Sequence, residues 1–378
     1  MKKWTTVWGT SSAHAPRTEC NYGKDITFRY GIPVLCNGDK IRVTLSNLYS
    51  DEECVINSVT VGRVGKVGDR KTTDIIPLTF NGQKSGKIGA FSTITTDPIP
   101  YNIKKGEILN VSFYIKDTTK METATPLTGK YSYGFICGGD QTMAEDFALY
   151  REHTASRHYF LSQVDVESEN ASGWTFFGDS ITSFCWTDEA KALLLDENDN
   201  NQIAIVRKSI AGGEVWTDYT NWAIRHYGES GVKRFERDVL EAHNCDNILV
   251  FHGINDIIHP NGTTYRPLSL LPTAEKMIEG FKFYADTAHK MGKKIYFATI
   301  LPFKGWRSYD EERNEIRKKI NEWIRTTSLI DGYVDFDKVL QDENDPDKIP
   351  APFTSDNLHP SLEGAKLLAN AFYDKFIK

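Results

Sequence analysis

The stretch Thr175-Phe176-Phe177-Gly178-Asp179-Ser180-Ile181-Thr182 lies near the middle of the 378-residue chain and closes an apolar run on Gly-Asp-Ser. A short aromatic run bounded by glycine reads as a buried strand, and in an open α/β sheet ligands bind in the crevice beyond the carboxyl ends of the strands. Ser180 is therefore predicted to project from a strand end into a site. Read alone, the tripeptide has a plain competitor, a serine capping the helix that follows the strand. The two readings separate on whether other polar loops reach the same edge.

Several do. Ile203-Ala204-Ile205-Val206 leads through Ser209-Ile210-Ala211 into Gly212-Gly213, and Ile248-Leu249-Val250-Phe251 leads into Gly253-Ile254-Asn255-Asp256. Near the C-terminus, Asp356-Asn357-Leu358-His359-Pro360 precedes a segment whose Leu362, Ala365, Leu368, Ala369, Phe372 and Phe376 recur at helical spacing. A serine hydroxyl is a poor nucleophile at neutral pH. It needs a base, for which His359 is the candidate, and the imidazole needs a carboxylate, here Asp356, to fix its tautomer and stabilise its cation. Attack on an ester creates an oxyanion, for which the backbone N–H groups of Ser180 and Gly213 and the side-chain amide of Asn255 are candidate donors. Gly213 and Asn255 also suit turns, and the two roles are compatible. Asp179 and Asp256 are expected to brace their loops by accepting backbone hydrogen bonds. His252 and His259 flank the Asn255 loop, but no metal-ligand spacing joins them, so neither metal nor cofactor is expected.

These blocks resemble the SGNH or GDSL hydrolases, a family named for Ser, Gly, Asn and His in four separated blocks. Gly178-Asp179-Ser180 matches the nucleophile block, Gly213 the glycine block, Gly253-x-Asn255-Asp256 the asparagine block and Asp356-x-x-His359 the last. The resemblance spans roughly residues 171–378. The segments 234–240, 298–303 and 334–337 also look like the family. It implies a flavodoxin-like three-layer α/β fold, with a β-sandwich ahead of it in some members, and hydrolysis of esters, often acetyl or short acyl groups on carbohydrates. Two positions depart from the usual pattern. Ser183-Phe184-Cys185 stands where many relatives have Asp-Gly after Ile-Thr, and Glu214 where Asn is frequent. Both changes bear on substrate shape and leave the catalytic set intact.

Residues 1 to about 168 have a different texture. Ile41-Arg42-Val43-Thr44-Leu45 and Leu109-Asn110-Val111-Ser112-Phe113-Tyr114-Ile115 alternate apolar with polar between Gly, Asn and Asp turns, which predicts half-buried strands of a jelly-roll-like sandwich. The polar stretch 167–173 divides an all-β domain, residues 1–170, from an α/β domain, residues 171–378. In the second, residues 274–290 place Met277, Phe281, Tyr284, Ala285 and Ala288 on one helix face before the strand Ile295-Tyr296-Phe297-Ala298. Residues 310–328 repeat the pattern with Ile316, Ile320, Trp323 and Ile324, and Tyr333-Val334-Asp335-Phe336 is expected as a fifth strand of a doubly wound parallel sheet.

The chain is long enough for two domains with full cores. A formal charge of −6 without a Lys/Arg stripe argues against nucleic acid. No apolar run reaches membrane-span length and no signal-peptide pattern opens the chain, so a cytoplasmic protein is expected. Six scattered cysteines (Cys20, Cys36, Cys54, Cys137, Cys185, Cys245) give no zinc spacing and no disulfide framework, and read as reduced thiols.

Trp216 follows the glycine block and Trp306 lies just past the Ile295 strand; each either edges the site and stacks on a sugar ring or packs in the core. Trp186 and Trp222 are expected inside. The reading is a serine ester hydrolase acting on an acylated carbohydrate, a small-molecule or oligosaccharide ester, with homo-oligomers allowed. Its alternatives are a lipid-type esterase, thioesterase or lysophospholipase, and a carbohydrate-binding protein with a vestigial hydrolase domain.

Overall fold

The computed structural model describes residues 1–16, 22–146, 153–196, 200–264 and 266–378, the side chains of His153 and Thr263 excepted. Cys20 lies outside them. In the N-terminal half, two antiparallel sheets form a sandwich. One runs in the order Lys3–Gly9, Leu161–Ser168, Gly38–Ser46, then Thr93–Thr95 with Ile99–Ile103 beside it. The other runs His153–Thr154, Gly134–Gly138, Ile26–Pro33, Ile108–Ile115, Ser58–Val64, Thr73–Leu78. Ile41, Val43 and Leu45 point inward as the alternation predicts, and their neighbours Arg42 and Thr44 are partly open.

The strand Ile108–Ile115 departs from the half-buried expectation, because Asn110 and Ser112 are also buried. Arg29, wholly buried on the neighbouring strand, explains why. Its guanidinium donates to Ser112 Oγ (2.9 Å), to the carbonyl of Arg70 (2.8 Å) and to that of Ala144 (2.7 Å), drawing loops over the outer face. Buried polar groups survive when paired.

The C-terminal half is a parallel sheet of β1 (Ser172–Gly178), β2 (Ile203–Ser209), β3 (Asn247–Phe251), β4 (Lys294–Ala298) and β5 (Gly332–Val334), in the order β2-β1-β3-β4-β5. That is the flavodoxin-like winding, with its switch point flanking β1. Helices cover both faces. α1 (Ser180–Ser183) and α2 (Cys185–Leu194) follow β1, α3 (Gly231–Glu241) precedes β3, and α4 (Ile254–Ile258) follows it. α5 (Ala274–Lys290), α6 (Glu311–Thr326), α7 (Phe336–Leu340) and α8 (Leu362–Phe376) complete the set. α2 packs on α8, while α3, α5 and α6 pack side by side.

Capping explains where the helices start: Thr273, Asp310 and Ser361 each accept a backbone N–H from the first turn of α5, α6 and α8. The predicted apolar faces of α5 and α6 are buried, with Trp323 partly so. α8 differs at its start, where Leu362 is half exposed. The fifth strand is shorter than the apolar run suggests. Asp335 leaves the sheet to cap α7 and pairs with Arg325, which ends β5 at Val334.

The chain passes from antiparallel to parallel sheet between Ser168 and Ser172. The sandwich strand Lys3–Gly9 runs along β2, the edge of the parallel sheet, and an isolated parallel bridge joins Thr10 to Arg207. Thr6 N–H donates to His243 O (3.0 Å) and Ser11 Oγ to Asp238 (2.7 Å). A Cβ on Gly9 would lie 2.9 Å from Val206 Cγ1, so the approach is close. Covering an edge strand removes a pairing liability. Among the described residues, no helix is long and apolar enough to cross a membrane.

Candidate active site

Register sets the site. Gly178 at the end of β1 pairs with Ser209 on β2 and Phe251 on β3, so the Ser180, Gly213 and Asn255 loops leave the sheet at one level. A Cβ at Gly178 would stand 2.2 Å from Phe251 O, which requires glycine there. The helix cap is Asp179, whose Oδ1 accepts from Ile181 N–H (3.0 Å), and Ser180 is thereby left as the first helical residue. The capping competitor for Ser180 thus passes to its neighbour.

Ser180 Oγ lies 2.9 Å from His359 Nε2, and His359 Nδ1 lies 2.7 Å from Asp356 Oδ2. A carboxylate only accepts, so Nδ1 carries the proton and Nε2 is left to accept from Ser180. Asp356 Oδ1 takes the backbone N–H groups of His359 (2.8 Å) and Leu358 (2.9 Å). Burial raises the Asp356 carboxyl, yet the His359 ring and these two N–H groups outweigh it and hold the group below the ordinary carboxylate value. The turn that allows this places Asn357 in the left-handed region, φ +66°.

The Gly213 peptide is clamped on both sides. Its N–H donates to Ile210 O (3.0 Å), and its carbonyl receives Asn255 Nδ2 (3.0 Å) and His252 Nε2 (3.1 Å). Burial, aided by the nearby Arg234 charge, pushes His252 down to about 3, so the ring is neutral. Its Nε2–H donates to Gly213 and its Nδ1 accepts from Tyr284 OH (3.2 Å). The Gly213 N–H, a candidate oxyanion donor that also suits a turn, closes that turn on Ile210 O. Asn255 spends one amide proton on that turn and keeps another.

A model of the GDSL-like lipase/acylhydrolase family matches residues 176–367. The chain belongs to that family. No curated protein matches it. Among solved structures, it is similar to a catalytic mutant of an acetylxylan esterase from Geobacillus stearothermophilus, at 19% identity over 54% of this chain and 94% of that one, TM-score 0.42. A GDSL-like lipase from Bacteroides thetaiotaomicron is 16% identical over 54% and 86%, TM-score 0.40. An enzyme from the metagenome of Lake Arreo, Spain, described as an alpha/beta hydrolase, is 18% identical over 55% and 95%, TM-score 0.42.

Two aromatics of this GDSL-like acylhydrolase touch His359. The Trp306 ring meets it edge-on at 6.3 Å and Phe184 at 5.2 Å. Trp306 Nε1 is a buried donor without a partner among the described residues, and Arg307 lies over the ring at 4.8 Å. Trp216 goes elsewhere. Its Nε1 donates to Lys276 O (2.9 Å) and the Lys276 ammonium lies 4.0 Å over its ring, which ties it to α5. Trp186 is buried in the core, whereas Trp222 is 56% exposed, contrary to expectation, because it lies on the loop between β2 and α3 outside the packed layers.

Sequence reasoning missed the supports behind the first contacts. Arg234 on α3 is fully buried, paired with Asp238 (2.7 Å), and donates to Gly178 O (2.9 Å), two residues before Ser180. Glu214, beside Gly213, is buried and accepts from Tyr219 OH (2.5 Å), His259 Nδ1 (2.9 Å) and Arg266. Asp256, beside Asn255, accepts the N–H groups of Val215 (2.9 Å) and Trp216 (3.3 Å), a brace of the kind expected. His252 and His259 serve separate partners and do not converge. Among the described residues, no group of three or more His, Cys, Asp or Glu is placed to hold a metal ion. An acidic residue directly after Gly213 and after Asn255 was the available signal, but its partners are distant in sequence.

Proposed function

We propose that this family member removes acetyl or other short acyl groups from a carbohydrate by a Ser-His-Asp mechanism. The observation that carries the reading is the unbroken line Ser180 Oγ, His359 Nε2, His359 Nδ1, Asp356 Oδ2, at 2.9 and 2.7 Å. Ser180 attacks the ester carbonyl as its proton passes to His359 Nε2. The imidazolium is stabilised by Asp356 and then gives the proton to the sugar oxygen as its bond to the acyl carbon breaks, releasing the sugar hydroxyl. Water, activated by the same imidazole, hydrolyses the acyl-enzyme. No cofactor takes part in these steps.

The developing oxyanion has three donors. The Ser180 N–H opens α1 and has no intrahelical partner, Asn255 has its second amide proton, and Gly213 N–H can be shared with Ile210 O. Each such donor typically contributes about 10²–10³ in kcat. The carbohydrate part of the reading is supported by Trp306, a partly exposed aromatic beside the base. Sugars are met by aromatic surfaces of this kind.

The test is acetate release from acetylated xylo-, manno- and pectic oligosaccharides, run beside aryl acetate, butyrate and octanoate esters, with Ser180→Ala as control. Release from one glycan class, lost in the variant, is expected. Turnover confined to the longer acyl esters would replace the sugar by a lipid, and turnover undiminished in Ser180→Ala would remove the mechanism.

A further inference from the structure

A cleft of about 320 Å³ opens between the sandwich and the α/β half, away from Ser180. The sandwich contributes His14, Tyr49 and Phe91, and the α/β half contributes Asp218, Tyr219 and the start of α3. That volume lies at the small end of ligand pockets. Phe91 is its most conspicuous member. It is 62% exposed at the tip of a turn and sits in the left-handed region, φ +52°, which a bulky side chain rarely adopts. Such strain persists where the surroundings impose it; here Phe91 N–H is held by Ser50 O at 3.0 Å.

The floor of the cleft is already bonded across the two halves. Glu229 accepts from Tyr49 OH (2.9 Å) and Arg237 (2.7 Å), and Lys233 reaches its other oxygen (2.9 Å). The rim is not closed in this way. Asp218 and Lys233 face each other there at 3.8 Å, both with much of their side chains in solvent. Among the described residues two acids and two bases line the cleft, and burial, with the Arg225 charge, lowers His14 from the ordinary imidazole value. A charge-balanced cleft selects neither an anion nor a cation. An exposed aromatic face beside an acceptor and a donor suits a ring with an apolar face and hydroxyls around its edge.

We propose that this cleft is a saccharide subsite, in which one pyranose ring of a neutral oligosaccharide lies on Phe91 while its hydroxyls donate to Asp218 and accept from Lys233. The proposal deepens the carbohydrate reading above and rests on it for the substrate class. It also gives the sandwich a part in recognition. The cleft wall continues to the catalytic edge through Tyr219, whose hydroxyl is bonded to Glu214, the residue after Gly213.

The experiment uses the full-length chain carrying Ser180→Ala, titrated calorimetrically with unacetylated xylo-, manno- and cello-oligosaccharides from mono- to hexasaccharide. One series is expected to bind, and Phe91→Ala to weaken that binding about tenfold or more. Phe283→Ala, which removes an exposed aromatic on α5 outside the cleft, is expected to leave it unchanged. Asp218→Asn keeps the acceptor for Ser230 N–H (2.7 Å) and removes the charge, so it reads the same contact should Phe91→Ala fail to fold. Equal losses from Phe91→Ala and Phe283→Ala, or no binding by any saccharide, overturn the subsite. Acetate release by the unmodified chain is scored separately. Release alongside Phe91-insensitive binding sinks the cleft and leaves the deacetylase standing; Phe91-dependent binding without release supports the cleft and sinks the deacetylase.

Discussion

The two halves of the molecule each bury an arginine completely, and they use it differently. Arg29 in the sandwich donates to a serine hydroxyl and to loop carbonyls, and burial pushes it down to about 10 against the opposing charge of Asp146. Arg234 in the α/β half has a carboxylate partner, Asp238, and reaches Ser11 of the sandwich and the carbonyl of Gly178 ahead of Ser180. The first cation ties loops to a sheet. The second ties three elements to the strand end where the chemistry is proposed. Burial alone therefore does not mark a functional charge; the direction of its hydrogen bonds does.

The largest effect expected of this difference lies at the site itself. Ser180→Ala should lower kcat on aryl acetate by about 10⁴-fold or more while the thermal midpoint stays put, since triad members act as a unit. Arg29→Met should leave kcat per folded molecule unchanged. An equal fall in kcat for the two variants would erase the contrast between the halves.

Next come the arginines compared directly. Arg234→Met leaves Asp238 buried beside fewer cations, and breaking a buried ion pair costs about 3–5 kcal/mol. Arg29→Met strands neutral carbonyls on loops that water can reach, at about 1–3 kcal/mol. Urea unfolding measures both. Only Arg234→Met should also lower kcat, because Gly178 O loses its guanidinium donor and keeps the Ile210 N–H (3.1 Å); full activity in that variant would show that the brace serves folding alone.

The same contrast describes what the sequence disclosed. Gly178-Asp179-Ser180, Gly213, Asn255 and Asp356-x-x-His359 are short blocks in which type and order suggest the proposed chemistry, and the parallel sheet followed from apolar runs alternating with helical periodicity. The supports were illegible because they depend on contacts between distant residues. Nothing local says that Arg234 meets Gly178, or that Glu214 meets His259 and Arg266. The buried outer face of Ile108–Ile115 was hidden for the same reason: alternation reports one covered face, and the second is covered by loops that Arg29, Asn110 and Thr60 draw in. Trp216 and Trp306 looked equivalent because position after a block fixes neither direction nor partner.

Asp179 sharpens the comparison through pH. Burial raises its carboxyl to about 7, against bonds from Ile181 and Gly253 and the Arg234 charge that act the other way. Between the ordinary value of 3.8 and about 7 the folded chain holds a proton that the unfolded chain releases, so this group makes stability fall as pH rises through that window and contributes no further change above it. The fall is on the order of 4 kcal/mol at most. Asp179→Asn keeps a good helix cap and has nothing to titrate. Its difference in unfolding free energy from the unmodified chain should therefore shift in its favour from pH 4 to 7. A constant difference would show that Asp179 is ionised throughout.

The smallest effect concerns Trp306. If the ring meets the sugar, Trp306→Ala removes an aromatic surface from the acceptor side without touching the bonds from His359 to Ser180 and Asp356. A contact of that kind is worth about 1.4 kcal/mol, or tenfold in kcat/KM. The loss should appear with an acetylated oligosaccharide and be absent with an aryl acetate, whose leaving group needs no hydroxyl recognition. Trp216→Ala should show no such selectivity, because its indole is committed to Lys276. Equal losses on both esters would mean that Trp306 acts by packing against His359, and the sugar would then have to be recognised elsewhere.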